Sequence, residues 1–171
     1  MNKDRMSVLI AMMDQGVIPV FYHPDVEVCK KVIQACANGA KFVVGPILNA
    51  DVAKVCNRRC IPYSPGCGSA SEISYAHELG CELVKVFPGS SVGGPEFVKN
   101  VLGPMPWTRI MPTGGVEPTE ESLRKWYGAG IVACGIGSNL ITKELLAKAD
   151  YAGIEARVRD TVKLIKMIRG K

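Results

Sequence analysis

The chain alternates apolar, strand-like runs with stretches of helical periodicity along its length. Strands that are separated by helices pair in parallel, because each helix carries the chain back to the end at which the previous strand began. The sequence therefore predicts one α/β domain over residues 1–171, built on a parallel sheet. The predicted strands run from Val17 to Tyr22, Lys41 to Pro46, Cys60 to Pro65, Leu83 to Pro88, Arg109 to Pro112, and from Ile131 to the turn at Gly137 and Ser138.

Helical patterns separate most of these strands. After the last strand, apolar residues spaced three and four apart predict an amphipathic helix, with one face formed by Ile154, Val158, Val162, Ile165 and Ile168. The other predicted helices run from Met6 to Gln15, from Pro24 to Ala37, near Ala50 to Asn57, from a cap at Ser69 or Ser71 to Leu79, and from Pro118 onward.

Lys85 lies in the middle of the apolar fourth strand. A buried ammonium group costs several kcal/mol unless it loses its proton or finds a partner, and a lowered pKa is what makes a lysine a Schiff-base nucleophile. A lysine on the solvent face of an edge strand is the alternative. Two-residue alternation puts Leu83, Lys85 and Phe87 on one face and Val84 and Val86 on the other, as in a barrel with a packed interior and a helix-covered exterior.

Two glycine-rich loops follow the last two strands, at Thr113-Gly114-Gly115 and at Gly137-Ser138. Exposed backbone N–H groups in such loops form the phosphate site of many (β/α) barrels, although ordinary turns have the same composition. A strand that carries a lysine, followed by two loops of this type, favours an enzyme that acts on an anionic substrate.

Composition excludes several other classes of protein. The content of 47% apolar and 22% charged residues predicts a globular domain, and the net charge of +5 is not gathered into one basic run, so nucleic acid is not expected as a partner. No apolar run approaches the ~18 residues of a membrane span, and a cytoplasmic location is expected. Seven cysteines without paired CxxC spacing, and only two histidines, predict reduced thiols and no zinc site. No cofactor is expected.

The strand around Lys85, the run from Met111 to Gly115 and the run from Gly135 to Ser138 together resemble the 2-keto-3-deoxy-6-phosphogluconate (KDPG) aldolase family, whose members also act on 4-hydroxy-2-oxoglutarate (KHG). The resemblance extends to Val17-Ile18-Pro19-Val20 and to the run from Pro65 to Glu72. It implies a class I aldolase on a TIM-type (β/α) parallel barrel, commonly trimeric, with a 2-oxo acid or phosphorylated sugar acid as substrate.

The resemblance assigns roles to individual positions. It implies that Lys85 is the Schiff-base lysine and that Pro46, Phe87 and Thr113 bind the substrate. It also implies that Gly114, Gly115, Gly137 and Ser138 bind its phosphate, and that no metal is needed.

Two consecutive βα units of the family pattern have no counterpart, so about six of eight units are visible. The missing second and third strands carry, in the family, a glutamate general acid/base and the end of a glycine-rich strand, with a phosphate-binding arginine nearby. General acid/base assistance is worth about 10²- to 10⁴-fold, so weak activity is expected unless another group substitutes. His23, in the loop after the first strand, is a candidate proton shuttle or an ordinary surface histidine.

Three explanations of the short pattern stay open: a natural deletion, an engineered one, and a sequence from which a segment is missing. Function stays open as well, because a relative that binds sugar phosphates or oxo acids without turnover fits the same residues. Two unpaired parallel edges would promote association, so a homo-oligomer is predicted.

Overall fold

The computed structural model describes residues 4–20 and 42–170, so His23 and the predicted helix from Pro24 to Ala37 lie outside the described residues. The helices are α1 (Arg5–Gln15), α2 (Ala50–Arg58), α3 (Ala70–Glu78), α4 (Gly94–Leu102), α5 (Glu120–Gly128), α6 (Lys143–Ala147) and α7 (Tyr151–Arg169). The strands are β1 (Val17–Pro19), β2 (Val43–Val44), β3 (Tyr63–Ser64), β4 (Gly66–Cys67), β5 (Leu83–Val86), β6 (Arg109–Pro112) and β7 (Cys134–Ile136).

All strand pairs are parallel, as predicted. β5 pairs with β4 and β6, β2 pairs with β3, and β1 pairs with β7. A bridge between Thr113 and Gly135 joins β6 to β7. β3 and β4 are two halves of one extended run interrupted at Pro65, because Ser64 pairs with Val44 on one side and Gly66 pairs with Lys85 on the other. The six predicted strands therefore form one continuous series, β1-β7-β6-β5-β4/β3-β2, with shorter bounds than the sequence indicated.

The two faces of the sheet pack into two separate apolar clusters. Val84, Val86, Ile110 and Ile136 belong to a large cluster shared with the helices. The alternate residues Leu83 and Met111 belong, with Ala133, to a smaller cluster on the other face. This division confirms the alternation predicted for the Lys85 strand and defines an inner face and an outer face.

Helix α1 closes the inner cluster from the end at which the strands begin. Its residues Val8, Leu9 and Met12 are buried in that cluster. The helix is anchored by Arg5, whose Nε and Nη2 donate to the carboxylate of Glu82 at 2.8 Å, and whose Nη2 also donates to the Gly80 carbonyl at 2.6 Å. The opposite end of the strands is left for the loops that carry the candidate site.

Local signals explain most helix boundaries and show where the predictions were wrong. Ser69 caps α3, since its Oγ accepts from the Glu72 N–H. The helix predicted from Pro118 begins two residues later, because the Thr119 hydroxyl accepts from the Ser122 N–H and makes Thr119 the cap. Helices α4 and α6 were not predicted.

The predicted apolar face of α7 is confirmed, with Ile154, Val158 and Ile165 buried and Val162 and Ile168 partly buried. The five cysteines of the described ranges are unbridged, and four of them are buried. In the part of the chain that the structure describes, no helix has both the length and the apolar character that crossing a membrane requires.

Candidate active site

Lys85 is buried on the inner face, with only 5% of its surface exposed. Its Nζ lies 4.4 Å from the centroid of the Phe87 ring, so the ring face is the neighbour of the amino group. Burial lowers the pKa of Lys85 below the ordinary lysine value, because the charged form loses its hydration. Within the described residues no carboxylate forms an ion pair with it. These are the conditions for a reactive amine.

Two buried hydroxyl groups lie on the same face and lack hydrogen-bond partners among the described residues: Ser64 Oγ and Thr113 Oγ1. Ser64 pairs in register with Val44, which packs against the inner cluster, and Thr113 follows the inner residue Met111 by two. An unsatisfied buried hydroxyl costs about 1–3 kcal/mol, so each of them is suited to a polar ligand atom. The register puts Ser64 level with Leu83 and Thr113 level with Phe87, on either side of Lys85 along the strands. Thr113 was a predicted substrate contact and Ser64 was not, although its position two residues before Gly66 already put a hydroxyl on the inner face.

Pro46 is brought to the Lys85 strand by a glycine. A side chain at Gly66 would collide with the carbonyl of Pro46, and Gly66 is the register partner of Lys85. Only a residue without Cβ lets the loop after β2 approach the sheet this closely. The structure thus brings Pro46, Lys85 and Phe87 together at the loop end of β4 and β5.

The loops that follow β5 and β6 are bonded to each other. The Gly89 N–H donates to the Thr113 carbonyl at 2.8 Å, and the Ser90 N–H donates to the Gly114 carbonyl at 3.0 Å. Gly114 and Gly115 have φ values of 90° and 79°, which favour glycine. The strand pairing and these loop contacts hold Phe87 and Thr113 next to each other at the mouth of the inner face.

The predicted phosphate residues of β7 lie in a tight turn beside this mouth. The N–H groups of Leu140 and Ile141 both donate to the Gly137 carbonyl, at 2.8 and 2.9 Å. Ser138 is exposed, and neither its N–H nor that of Gly115 donates a hydrogen bond within residues 4–20 and 42–170. The bridge from Thr113 to Gly135 joins the two glycine loops at the same end of the sheet.

No carboxylate reaches the inner face from the strands that the structure describes. Glu72 is used by the α3 cap, where its Oε2 accepts from the Gly68 N–H at 2.8 Å and from Ser69 Oγ at 3.0 Å. Glu82 pairs with Arg5 at the opposite end of the strands. Over the described ranges there is also no cluster of three metal-ligating side chains. The candidate chemistry is therefore that of a lysine, two hydroxyls and backbone N–H groups.

Comparison with known proteins gives consistent results. A sequence model of the family described as "Aldolase: KDPG and KHG aldolase" matches residues 25–157. The chain is 36% identical over 138 residues to a 2-dehydro-3-deoxy-phosphogluconate aldolase of Haemophilus influenzae, covering 80% of this chain and 64% of that protein. It is 33% identical over 133 residues to the protein of the same name in Treponema pallidum, covering 77% of this chain and 62% of that protein.

Among solved structures, the fold matches that of a KDPG aldolase from Legionella pneumophila. The TM-score is 0.76 at 18% sequence identity, with 91% of this chain and 97% of that chain covered. That protein was crystallised with pyruvate captured at low pH as a covalent carbinolamine intermediate. The likeness confirms the predicted TIM-type α/β barrel fold, of which the described residues form a part. The chain spans less than two thirds of the length of the curated relatives it matches.

Proposed function

The chain belongs to the KDPG and KHG aldolase family, and from this premise we propose that it is a class I aldolase whose Schiff base forms on Lys85. The observation that carries the proposal is the burial of Lys85 on the inner face, without a carboxylate partner in the described residues. An amine in this setting is neutral over a wider pH range than an exposed lysine, and only the neutral amine is a nucleophile.

The reaction follows from the chemistry of an iminium ion. Nζ of Lys85 attacks the C2 carbonyl of the 2-oxo acid, and the carbinolamine loses water to give the iminium. The C3–C4 bond then breaks, its electron pair moves into the iminium to form an enamine, and the C4 hydroxyl proton passes to a base as the aldehyde leaves. Protonation of the enamine at C3 and hydrolysis release pyruvate and restore the lysine.

Two substrates fit this scheme. KDPG would give pyruvate and glyceraldehyde 3-phosphate, whereas 4-hydroxy-2-oxoglutarate would give pyruvate and glyoxylate. The carbinolamine formed from pyruvate in the Legionella relative supports a covalent adduct with the shared product. Phe87, Pro46 and Thr113 would contact the oxo acid, and the buried hydroxyl of Thr113, which is unpaired among the described residues, would form a hydrogen bond with one of its polar atoms.

The phosphate of KDPG would lie on the two glycine loops. The backbone of these loops lies at one end of the sheet and comprises Gly114, Gly115, Gly137 and Ser138. The N–H groups of Gly115 and Ser138 donate to no acceptor among the described residues. Backbone N–H groups that point at one site bind phosphate without a side chain. The unphosphorylated substrate would leave this part of the site empty.

A second function is favoured by one specific observation: the described inner face holds a lysine but no Asp or Glu. Without a positioned base the proton-transfer steps are slower by about 10²- to 10⁴-fold. A protein that binds the oxo acid or sugar phosphate, and turns it over slowly or not at all, would have this arrangement.

Borohydride trapping tests the proposal directly. The protein is incubated with pyruvate and borohydride, its intact mass is measured, and the modified peptide is mapped. We expect one reduced pyruvate adduct on the Lys85 peptide, its loss in Lys85→Ala, and its retention in Lys99→Ala, which changes an exposed lysine of α4. Cleavage of KDPG and of 4-hydroxy-2-oxoglutarate, followed by pyruvate release, separates an aldolase from a binding protein. Full cleavage activity in Lys85→Ala would overturn the assignment.

A further inference from the structure

The described loops at the carboxyl ends of β2 and of β4 to β7 contain no positively charged side chain. These loops comprise residues 45–49, 68–69, 87–93, 113–119 and 137–142, and none of these residues is Lys or Arg. Backbone N–H groups bind a phosphate dianion, but they leave most of its charge uncompensated. Among the described residues, a cation for this site must therefore come from outside these loops.

Arg157 of α7 provides such a cation. Its Nη2 donates to the backbone carbonyl of Asn139 at 2.9 Å, which holds the guanidinium against the turn that contains Ser138. Of the arginines and lysines in the described residues, it alone makes a side-chain hydrogen bond to one of these loops. The side chain is exposed and has no carboxylate partner in the ranges described, so its charge is not neutralised by an ion pair.

The contact falls at the junction of the two glycine loops. Asn139 directly follows Ser138, and its Nδ2 lies 3.5 Å from the carbonyl of Val116, in the loop after β6. This second contact is long for a hydrogen bond, so the shorter bond from Arg157 is the firmer support of the turn. A guanidinium has five N–H donors, and one of them serves this carbonyl.

We propose that Arg157 is a positioning residue that also sets the charge of the phosphate site, so that it determines preference for phosphorylated over unphosphorylated substrates. The inference rests on the proposed function for the identity of the substrate. Whatever the substrate, an anion on the N–H groups of Gly115 and Ser138 is bound more tightly because the guanidinium of Arg157 holds the turn and raises the local electrostatic potential.

The decisive measurement is a titration with inorganic phosphate, followed through the backbone amide signals of Gly115, Gly137 and Ser138 in nitrogen-15 spectra. Arg157→Gln should weaken phosphate binding about tenfold, and Arg157→Lys should recover part of the loss because it keeps the charge. The matched control is Arg159→Gln on the same helix, whose guanidinium lies 3.7 Å from Glu155 instead of the turn; its affinity should equal that of the wild type. Equal affinities in Arg157→Gln and the wild type would overturn the proposal.

Steady-state kinetics separates this role from a merely structural one. Arg157→Gln should raise KM for KDPG about tenfold while KM for 4-hydroxy-2-oxoglutarate and the rate of pyruvate trapping at Lys85 stay unchanged. A parallel loss for both substrates would contradict the proposal. If the wild type traps no pyruvate, the proposed aldolase function fails, while the phosphate titration still decides the role of Arg157.

Discussion

The charge state of Lys85 is set by burial, and this makes its chemistry and its effect on stability depend on pH in a defined direction. Burial lowers the folded-state pKa of Lys85 below the unfolded value of about 10.4. At pH values below the folded pKa both states carry the proton, and the full penalty of the buried charge is present. Between the two pKa values the unfolded state binds more protons, so stability rises with pH.

We therefore expect Lys85→Met to be more stable than the wild type at pH 7, with a difference that shrinks as pH approaches 10.4. Urea unfolding at several pH values measures it, and Lys99→Met, at an exposed site, should change little at any of them. The rate of borohydride trapping in the wild type should reach half its maximum below pH 10.4. A trapping midpoint at the ordinary lysine pKa would show that Lys85 is solvated.

A glycine makes room for Thr113. A Cβ on Gly135 would collide with Thr113 Oγ1, since the two residues face each other across the bridge between β6 and β7. Overpacking of this kind costs about 1–3 kcal/mol, so Gly135→Ala should lower the free energy of unfolding by that amount. In the double variant with Thr113→Ala most of the loss should disappear, because the colliding group is gone.

Gly128→Ala is the control for this cycle. Gly128 ends α5 and has no atom within 4 Å of the position of a new Cβ. Alanine is the better helix former by about 1 kcal/mol, so this variant should be as stable as the wild type or more so. If Gly135→Ala does not lower the free energy of unfolding either, the side chains around Thr113 are packed less tightly than the strand register implies.

At the scale of the individual residue, the sequence predicts properties that depend on neighbours along the chain, such as the burial of Lys85, whose catalytic role stays a prediction. It does not predict contacts between residues far apart in the chain. Lys85 was found because a lysine among β-branched residues conflicts with its surroundings. Ser64 lay on the same alternation, but a serine in a strand conflicts with nothing, so only the structure shows its hydroxyl to be buried and unpaired. Arg157 lies on the polar side of an amphipathic helix, and nothing in its spacing indicates a contact with Asn139.

At the scale of elements, α1 covers one end of the inner cluster. Substitutions on its buried and exposed sides should therefore change the free energy of unfolding by different amounts. Leu9 is 5% exposed and packs in that cluster, whereas the adjacent Ile10 is 55% exposed. Removing a buried leucine side chain costs about 2–5 kcal/mol. Leu9→Ala should lower the free energy of unfolding by that amount, and Ile10→Ala by less than about 0.5 kcal/mol. Chemical denaturation measures both, and equal effects would show that α1 is not seated on the strands.

Element boundaries were predictable where a cap or a period defined them. The face of α7 followed from its 3.6-residue period, and α3 from the serine before it. Gly93 precedes helix α4, which begins with Gly94 and Pro95, and these three residues on their own are typical of a loop. The buried residues Val98 and Val101 of α4 form too short a pattern to predict a helix. The division of one predicted strand into β3 and β4 reflects Pro65, whose missing N–H interrupts the ladder.

At the scale of the whole molecule, the strand series has two ends in the described residues. β1 pairs with β7 alone and β2 with β3 alone, so each has a free side there. Val43 of β2 is 37% exposed, and Ile47, in the loop after β2, is 68% exposed. Unpaired parallel edges and exposed apolar side chains favour association with another chain.

The order of the strands was predictable from the parallel α/β rhythm, since successive βα units add neighbouring strands. The state of the two edges was not, because closure of a barrel depends on the number and tilt of all its strands rather than on any one segment. The predicted homo-oligomer thus remains a prediction, and it belongs to this scale.

We expect the protein to elute on multi-angle light scattering at a multiple of its 18.4 kDa mass, and the double variant Val43→Lys, Ile47→Lys to shift that mass toward the monomer. Each of these side chains contributes about 1.5–3 kcal/mol when it is fully buried, so charge at both positions should weaken association at least tenfold. Met167→Lys, an exposed apolar position on α7, is the control and should leave the mass unchanged. A monomer in the wild type would mean that the free sides of β1 and β2 are covered within one chain, and association would then have no part in completing the barrel.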